Sequence, residues 1–296
     1  MRRTFLRQIS DIIKNEQDTT FFTVDIGMWA IQDILRDIPD RAMNVGIYED
    51  GMFSIAAGMA LRGLIPTIFG IQPYLIERTL EQIKMDFAYQ KLGVNVVGTG
   101  AAIDYSKYGY SHYCAEDVGI IKLIPGVEFI APGTAKQFEQ LFKLAYRNGH
   151  PTFFRISDHP NKFECDVEFG KASVIKTGSK ATVIAVSVML DVVLETCKDE
   201  DVTILYYTTL EPFDRITLAN NCSSNKILVC EPHYVGSLLY DIIEALPDRA
   251  LEVKSVGLPR EIFRNYGTYN EKIEFYGLNV KNIREKLYEF IEPTRL

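Results

Sequence analysis

Short apolar runs alternate along the whole chain with longer stretches whose apolar residues recur at helical spacing. Strand-like runs at 20–24, 44–48, 67–71, 94–98, 128–131 and 152–156 are separated by helical patterns over 52–61, 75–92, 115–124 and 136–146. Strands that alternate with helices at this spacing run parallel, and a parallel sheet needs helices on both faces. The rhythm stops at 157–180, where Asp158, Pro160, Asn161, Gly170 and Gly178 gather among polar residues. It restarts with strands at 181–186, 202–207, 226–230 and 253–256 and helices at 189–197, 237–246 and 280–290. The expected fold class is therefore α/β, with two doubly wound domains at 1–160 and 175–296 and a linker at 161–174. The length, 296 residues, accommodates both.

Composition removes several functions. A net charge of -7 leaves no basic footprint, so nucleic acid is not an expected partner. No apolar run approaches the roughly 18 residues of a membrane span, so no membrane partner is expected either. The N-terminal Arg2 and Arg3 are followed by Phe5, Leu6, Ile9, Ile12 and Ile13, which share one helical face and do not read as a signal peptide. Five scattered cysteines suit a reduced, cytoplasmic chain. The four histidines lack metal-ligand spacing, and His150 and His159 read as surface residues. Neither a GxGxxG turn, a P-loop nor a GxSxG elbow occurs.

Open α/β sheets take ligands at the carboxyl ends of their strands. The first strand ends at Asp25-Ile26-Gly27 and the second at Glu49-Asp50-Gly51. The fourth runs into a long polar loop with Tyr105, Tyr108, Tyr110, His112 and Tyr113. Two roles are open to Glu49 from the residues alone. It is the cap of the helix that follows, or a desolvated carboxylate of raised pKa suited to proton exchange with a bound heterocycle. Asp25 is likewise an N-cap or a ligand contact. Tyr74 is a core aromatic or a stacking surface, and His112 a structural or a functional imidazole.

The run Val45-Gly46, Glu49, Gly51-Met52 and Ile55-Ala56-Ala57-Gly58-Met59-Ala60 resembles the pyrimidine-domain motif of transketolases and related thiamine-diphosphate enzymes. The resemblance continues through Gly63-Leu64-Ile65-Pro66, the helix at 74–85, the loop at 99–112 and Pro151 to Arg155. In the second half it reaches Pro212-Phe213-Asp214, Glu231-Pro232-His233, Gly236 and Gly257-Leu258-Pro259. It is closer to transketolase than to deoxyxylulose-phosphate synthase or the 2-oxoacid dehydrogenases. The fold it implies is a pyrimidine-binding domain followed by a transketolase C-terminal-like domain.

The resemblance implies thiamine diphosphate as cofactor. Glu49 would hydrogen-bond N1′ of the aminopyrimidine and promote loss of the thiazolium C2 proton. Tyr74 would stack on the ring, and Asp25 and Ile71 would lie beside it. His112 would bind sugar hydroxyls near the reactive carbon, with Tyr108 and Asp158 as further substrate contacts. Transketolases hold the diphosphate and its Mg or Ca through a Gly-Asp-Gly and a spaced Asn, and no Gly-Asp-Gly occurs here. The implied partner is an α subunit carrying that domain, in an α2β2 assembly of which this chain is the β subunit. The implied activity is two-carbon ketol transfer between sugars. A deoxyxylulose-phosphate-synthase-like enzyme, a 2-oxoacid dehydrogenase E1 β subunit and a non-catalytic scaffold are the alternatives. Many transketolases bind the sugar phosphate with a His and an Arg where this chain has Gly100 and Asp158. The expected substrate is accordingly a non-standard or unphosphorylated sugar. Arg155 is expected to pair with a nearby carboxylate instead.

Overall fold

The computed structural model describes residues 1–292. Its strands are β1 (Thr19–Thr23), β2 (Ala42–Asn44), β3 (Ile65–Ile71), β4 (Val94–Thr99), β5 (Glu128–Ile130), β6 (Pro151–Ile156), β7 (Ser173–Lys176), β8 (Thr182–Val186), β9 (Thr203–Tyr207), β10 (Thr209–Glu211), β11 (Lys226–Tyr234) and β12 (Glu252–Leu258). They form two sheets, ordered β10-β5-β6-β4-β3-β1-β2 and β12-β11-β8-β9-β7. Neighbours are parallel except at the edges, where β10 pairs antiparallel with β5 and β7 with β9.

Every residue of β1, β4 and β6 is buried. Central strands covered on both faces place apolar residues on both, which is why their sequence shows pairs such as Phe21-Phe22, Val96-Val97 and Phe153-Phe154 rather than strict alternation. On one face Phe21, Phe69 and Phe154 pack with Phe5, Leu6 and Ile9 of helix α1 (Arg2–Asn15) and with Ile31 and Ile34 of α2 (Met28–Asp37). On the other, Phe22, Ile68 and Val96 meet Met52, Phe53 and Ala56 of α3 (Glu49–Leu61). Among the described residues no helix is long and apolar enough to cross a membrane.

Several expected elements shift. The second strand occupies 42–44 rather than 44–48. Gly46 takes a left-handed φ of 72° and donates its N–H to Asn44 Oδ1, so the chain turns away from the sheet. Glu49 therefore opens a helix and does not end a strand. The helix expected at 75–92 is three pieces, Gln72–Ile76, Leu80–Gln82 and a π-helical Ile83–Ala88. The break falls at Thr79, whose hydroxyl donates to the Leu75 carbonyl. Helix α2, strands β7 and β10, and helices Arg215–Asn221 and Tyr269–Phe275 are additional to the expectation. The segment at 161–174 is pinned rather than loose. The Lys162 and Phe163 amides donate to Asp191, and Ser173 and Val174 already belong to β7. An edge strand with one solvent face carries too weak a pattern to be read from four residues.

Candidate active site

The carboxyl ends of β3, β4 and β6 lie side by side and open into a cleft of about 490 Å³. Its walls include Ile26, Ile71, Tyr105, Tyr108, His112 and Asp158, with Thr268 and Tyr269 from the second half of the chain. The polar loop after β4 is held in shape by two single 3-10 turns, Ser106–Tyr108 and Tyr110–His112. The Cys114 amide closes it by donating to Ala102 O at 2.9 Å. Gly100 in this loop has a φ of +86°, and a Cβ there would stand 2.5 Å from the Tyr105 ring. The loop geometry thus demands a glycine at position 100.

A connected series of side chains runs from the protein interior to this cleft. The Glu49 side chain is 4% exposed, and Arg78 Nη1 lies 3.1 Å from its Oε2. The same guanidinium lies 4.0 Å above the Tyr74 ring. The Tyr74 hydroxyl is 3.3 and 3.4 Å from the two His112 ring nitrogens, and Ser111 Oγ is 3.0 Å from Nδ1. The Tyr108 ring centroid lies 5.1 Å from that of His112. Burial lowers the His112 pKa, which favours the neutral imidazole, able both to donate and to accept.

The acids beside the cleft divide by environment. Burial pushes the Asp104 carboxyl up to about 7, and it accepts from the Asp158 amide at 2.8 Å and from Ser157 Oγ at 3.0 Å. It thereby holds the turn that presents the exposed Asp158. Asp25 lies outside the cleft lining. Its left-handed backbone, φ 54°, turns it onto Asn44, whose amide donates to Asp25 Oδ1 at 2.7 Å. The N-cap position of α2 belongs to Gly27, so Asp25 does not cap that helix. His159 is exposed, but its ring stacks on Tyr269 at 3.6 Å and an angle of 7°.

Arg155 turns from the cleft into the interior. It is 1% exposed and pairs with the fully buried Asp117 at 3.1 Å. Gln72 Nε2 donates to the same carboxylate at 3.1 Å, and His233 Nδ1 lies 3.3 Å from the guanidinium. Glu231, also buried, accepts from the Gly236 amide at 2.7 Å. Among the described residues no group of three or more His, Cys, Asp and Glu is arranged to hold a metal ion.

The structure brings Ile71, Tyr108, His112 and Asp158 to one cleft; Tyr74 lies behind its wall against His112, and Arg78 links Glu49 to Tyr74. Asp25 stands apart. Sequence reasoning missed Arg78, Asp104 and the His159–Tyr269 stack. For Arg78 a signal existed: it follows Tyr74 by four residues, the spacing of neighbours on one helical face, and a buried Glu49 requires a cation.

The family model for the pyrimidine binding domain of transketolase matches residues 6–159. One of the subunits of an apulose-4-phosphate transketolase from Phocaeicola vulgatus is 25% identical over 98% of this chain and 97% of its own length. A 6-deoxy-6-sulfo-D-fructose transketolase subunit from a Clostridium species is 25% identical over 94% of this chain and 90% of its own. A 1-deoxy-D-xylulose-5-phosphate synthase from Thermus thermophilus is 30% identical over 84% of this chain, which corresponds to 41% of the enzyme. A solved structure described as a split gene transketolase, inactive beta4 tetramer, superposes with a TM-score of 0.87 at 23% identity, covering 99% of both chains.

Proposed function

This chain belongs to the transketolase pyrimidine-binding-domain family, and from that premise we propose that it is the β subunit of a split, thiamine-diphosphate-dependent transketolase. Residues 1–160 form the pyrimidine-binding unit, 161–174 the connection and 175–296 the C-terminal-like unit. The observation that carries the reading is the juxtaposition of a buried carboxylate, Glu49, with an aromatic face, Tyr74, that leads to a cleft containing His112.

The residues present fit an aminopyrimidine. The space between Glu49 and the Tyr74 ring already receives a flat, delocalised, hydrogen-bond-donating group, the Arg78 guanidinium. Thiamine diphosphate, when bound, supplies the C2 nucleophile and the electron sink for ketol transfer. Glu49, itself buried, would hold a proton against the ring nitrogen N1′. Tyr74 would stack on the ring and Ile71 would bound it. His112 would exchange hydrogen bonds with substrate hydroxyls, and Tyr108 and Asp158 would contact the rest of the sugar. The diphosphate and its Mg or Ca are assigned to an α partner with Gly-Asp-Gly and a spaced Asn, in a cytoplasmic α2β2 enzyme.

For the substrate, Asp158 adds negative charge at the cleft and Gly100 removes a donor, both unfavourable to a sugar phosphate in the usual position. The names of two relatives, which refer to apulose 4-phosphate and a sulfofructose, support a non-standard sugar. Co-expression with a chain carrying Gly-Asp-Gly tests the assignment. The two should co-purify with bound thiamine diphosphate, and failure to associate or to bind it contradicts the reading.

A further inference from the structure

Arg78 makes, with one guanidinium, both of the contacts that the proposed function assigns to the aminopyrimidine. It donates to Glu49 Oε2 at 3.1 Å and covers the Tyr74 ring at 4.0 Å. A ring that hydrogen-bonds Glu49 and stacks on this face of Tyr74 requires the same volume. The two therefore exclude each other. The guanidinium is a close mimic, being planar, delocalised and a donor in its own plane. The ion pair also opposes what Glu49 is assigned to do. The guanidinium donates to the carboxylate oxygen Oε2, an acceptor that a ring nitrogen would otherwise use.

Resting on that reading of the site, we propose that Arg78 is a displaceable occupant of the aminopyrimidine position and that its departure, on cofactor binding, releases Glu49 for proton exchange. The exposure of the two partners is suited to this. Glu49 is 4% exposed and fixed at the start of α3, whereas the Arg78 side chain is 48% exposed and lies in the break between two short helices. The cation can move into water while the carboxylate stays. Cofactor binding then includes the loss of one ion pair and one cation–π contact, so the observed affinity is lower than the contacts in the filled site would give. Arg78 is thus a residue that sets cofactor affinity by competition, and it keeps the Glu49 carboxylate paired until the cofactor arrives.

Calorimetric titration of thiamine diphosphate into the complex with the α partner tests this, comparing wild type with Arg78→Met, which keeps length and removes the charge. The expected result is a Kd lowered about tenfold, the loss of one partly exposed ion pair and one cation–π contact from the competition. Inorganic pyrophosphate, titrated in parallel, should bind both proteins equally because it reaches neither Glu49 nor Tyr74. An unchanged or raised Kd for thiamine diphosphate overturns the proposal. So does weaker pyrophosphate binding in Arg78→Met, which would make Arg78 a direct ligand of the cofactor. If wild type binds pyrophosphate but shows no added affinity for thiamine diphosphate, and Arg78→Met gains none, the aminopyrimidine assignment itself fails. A gain in Arg78→Met alone supports the proposal.

Discussion

Two arrays of cations and acids lie within the same sheet framework, and they differ in access to water. Arg155, Asp117, Gln72 and His233 form a closed array between the two halves of the chain, with the ion pair 1% and 0% exposed. Glu49, Arg78, Tyr74 and His112 form an open one, in which the acid is buried but the cation is half exposed and the far end lines a cleft. In the closed array nothing can replace a lost partner, so each group is committed to its neighbour and the array fixes how the halves meet. Among the described residues Arg155 Nε has no partner, which raises the dependence on its remaining contacts. In the open array each contact can be exchanged for a contact to a ligand. The same residue types thus form locked contacts in one place and exchangeable ones in the other, according to whether solvent can reach them.

This contrast makes separable predictions. The largest effect belongs to the open array: Glu49→Ala should lower two-carbon transfer by the reconstituted complex about a thousandfold or more, in the range of lost acid–base groups. Its melting temperature should change little, because the side chain leaves only a half-exposed arginine behind. A comparable loss of stability would erase the distinction. In the closed array the reverse holds. Asp117→Ala strands a buried arginine and should cost about 3–5 kcal/mol of stability, measured by denaturant unfolding. An Asp117→Ala protein as stable as wild type would remove the architectural role. A smaller effect is expected for His112→Ala, about ten- to a hundredfold in kcat/KM with thiamine diphosphate affinity unchanged, as follows if it contacts substrate as proposed.

A last effect, spread over several pH units, concerns stability. The Asp104 carboxyl is held at about 7 in the fold against an ordinary value of 3.8. The folded chain therefore binds more protons than the unfolded chain between these values, and stability falls as pH rises from about 4 to about 7. Glu77, also pushed up to about 7 by burial, contributes with the same sign. Asp104→Asn should flatten the fall of melting temperature across this range by several degrees. A slope that steepens instead would place Asp104 among ionised, paired acids.

How much of this was legible in the sequence follows from where the signal resides. The buried central strands were readable because desolvation on both faces favours adjacent apolar residues, as in Val96-Val97 and Phe153-Phe154. The second strand was misplaced because Val45 and Ile47 look like strand residues, while the turn is imposed by Asn44 bonding to Gly46. Helix α2 lies over a mixed sequence, Met28 to Asp37, in which only Ile31 and Ile34 are buried. For the site, the Glu49 motif and the Tyr-rich loop lead to residues that the structure joins in one series, Glu49, Arg78, Tyr74 and His112. Asp25 did not join it because the left-handed turn aims its side chain at Asn44. Arg78 and Tyr269 were missed since they act through space: one bridges two residues from different helices, and the other arrives from the second half of the chain.

The central claim, ketol transfer by a two-subunit thiamine enzyme, is tested most directly by supplying the purified complex with thiamine diphosphate and a divalent metal, then following the carbon. With a ketose donor and an aldose acceptor, the expected products are an acceptor lengthened by two carbons and a donor shortened by two, without release of CO2. Release of CO2 from pyruvate in place of two-carbon transfer would contradict it.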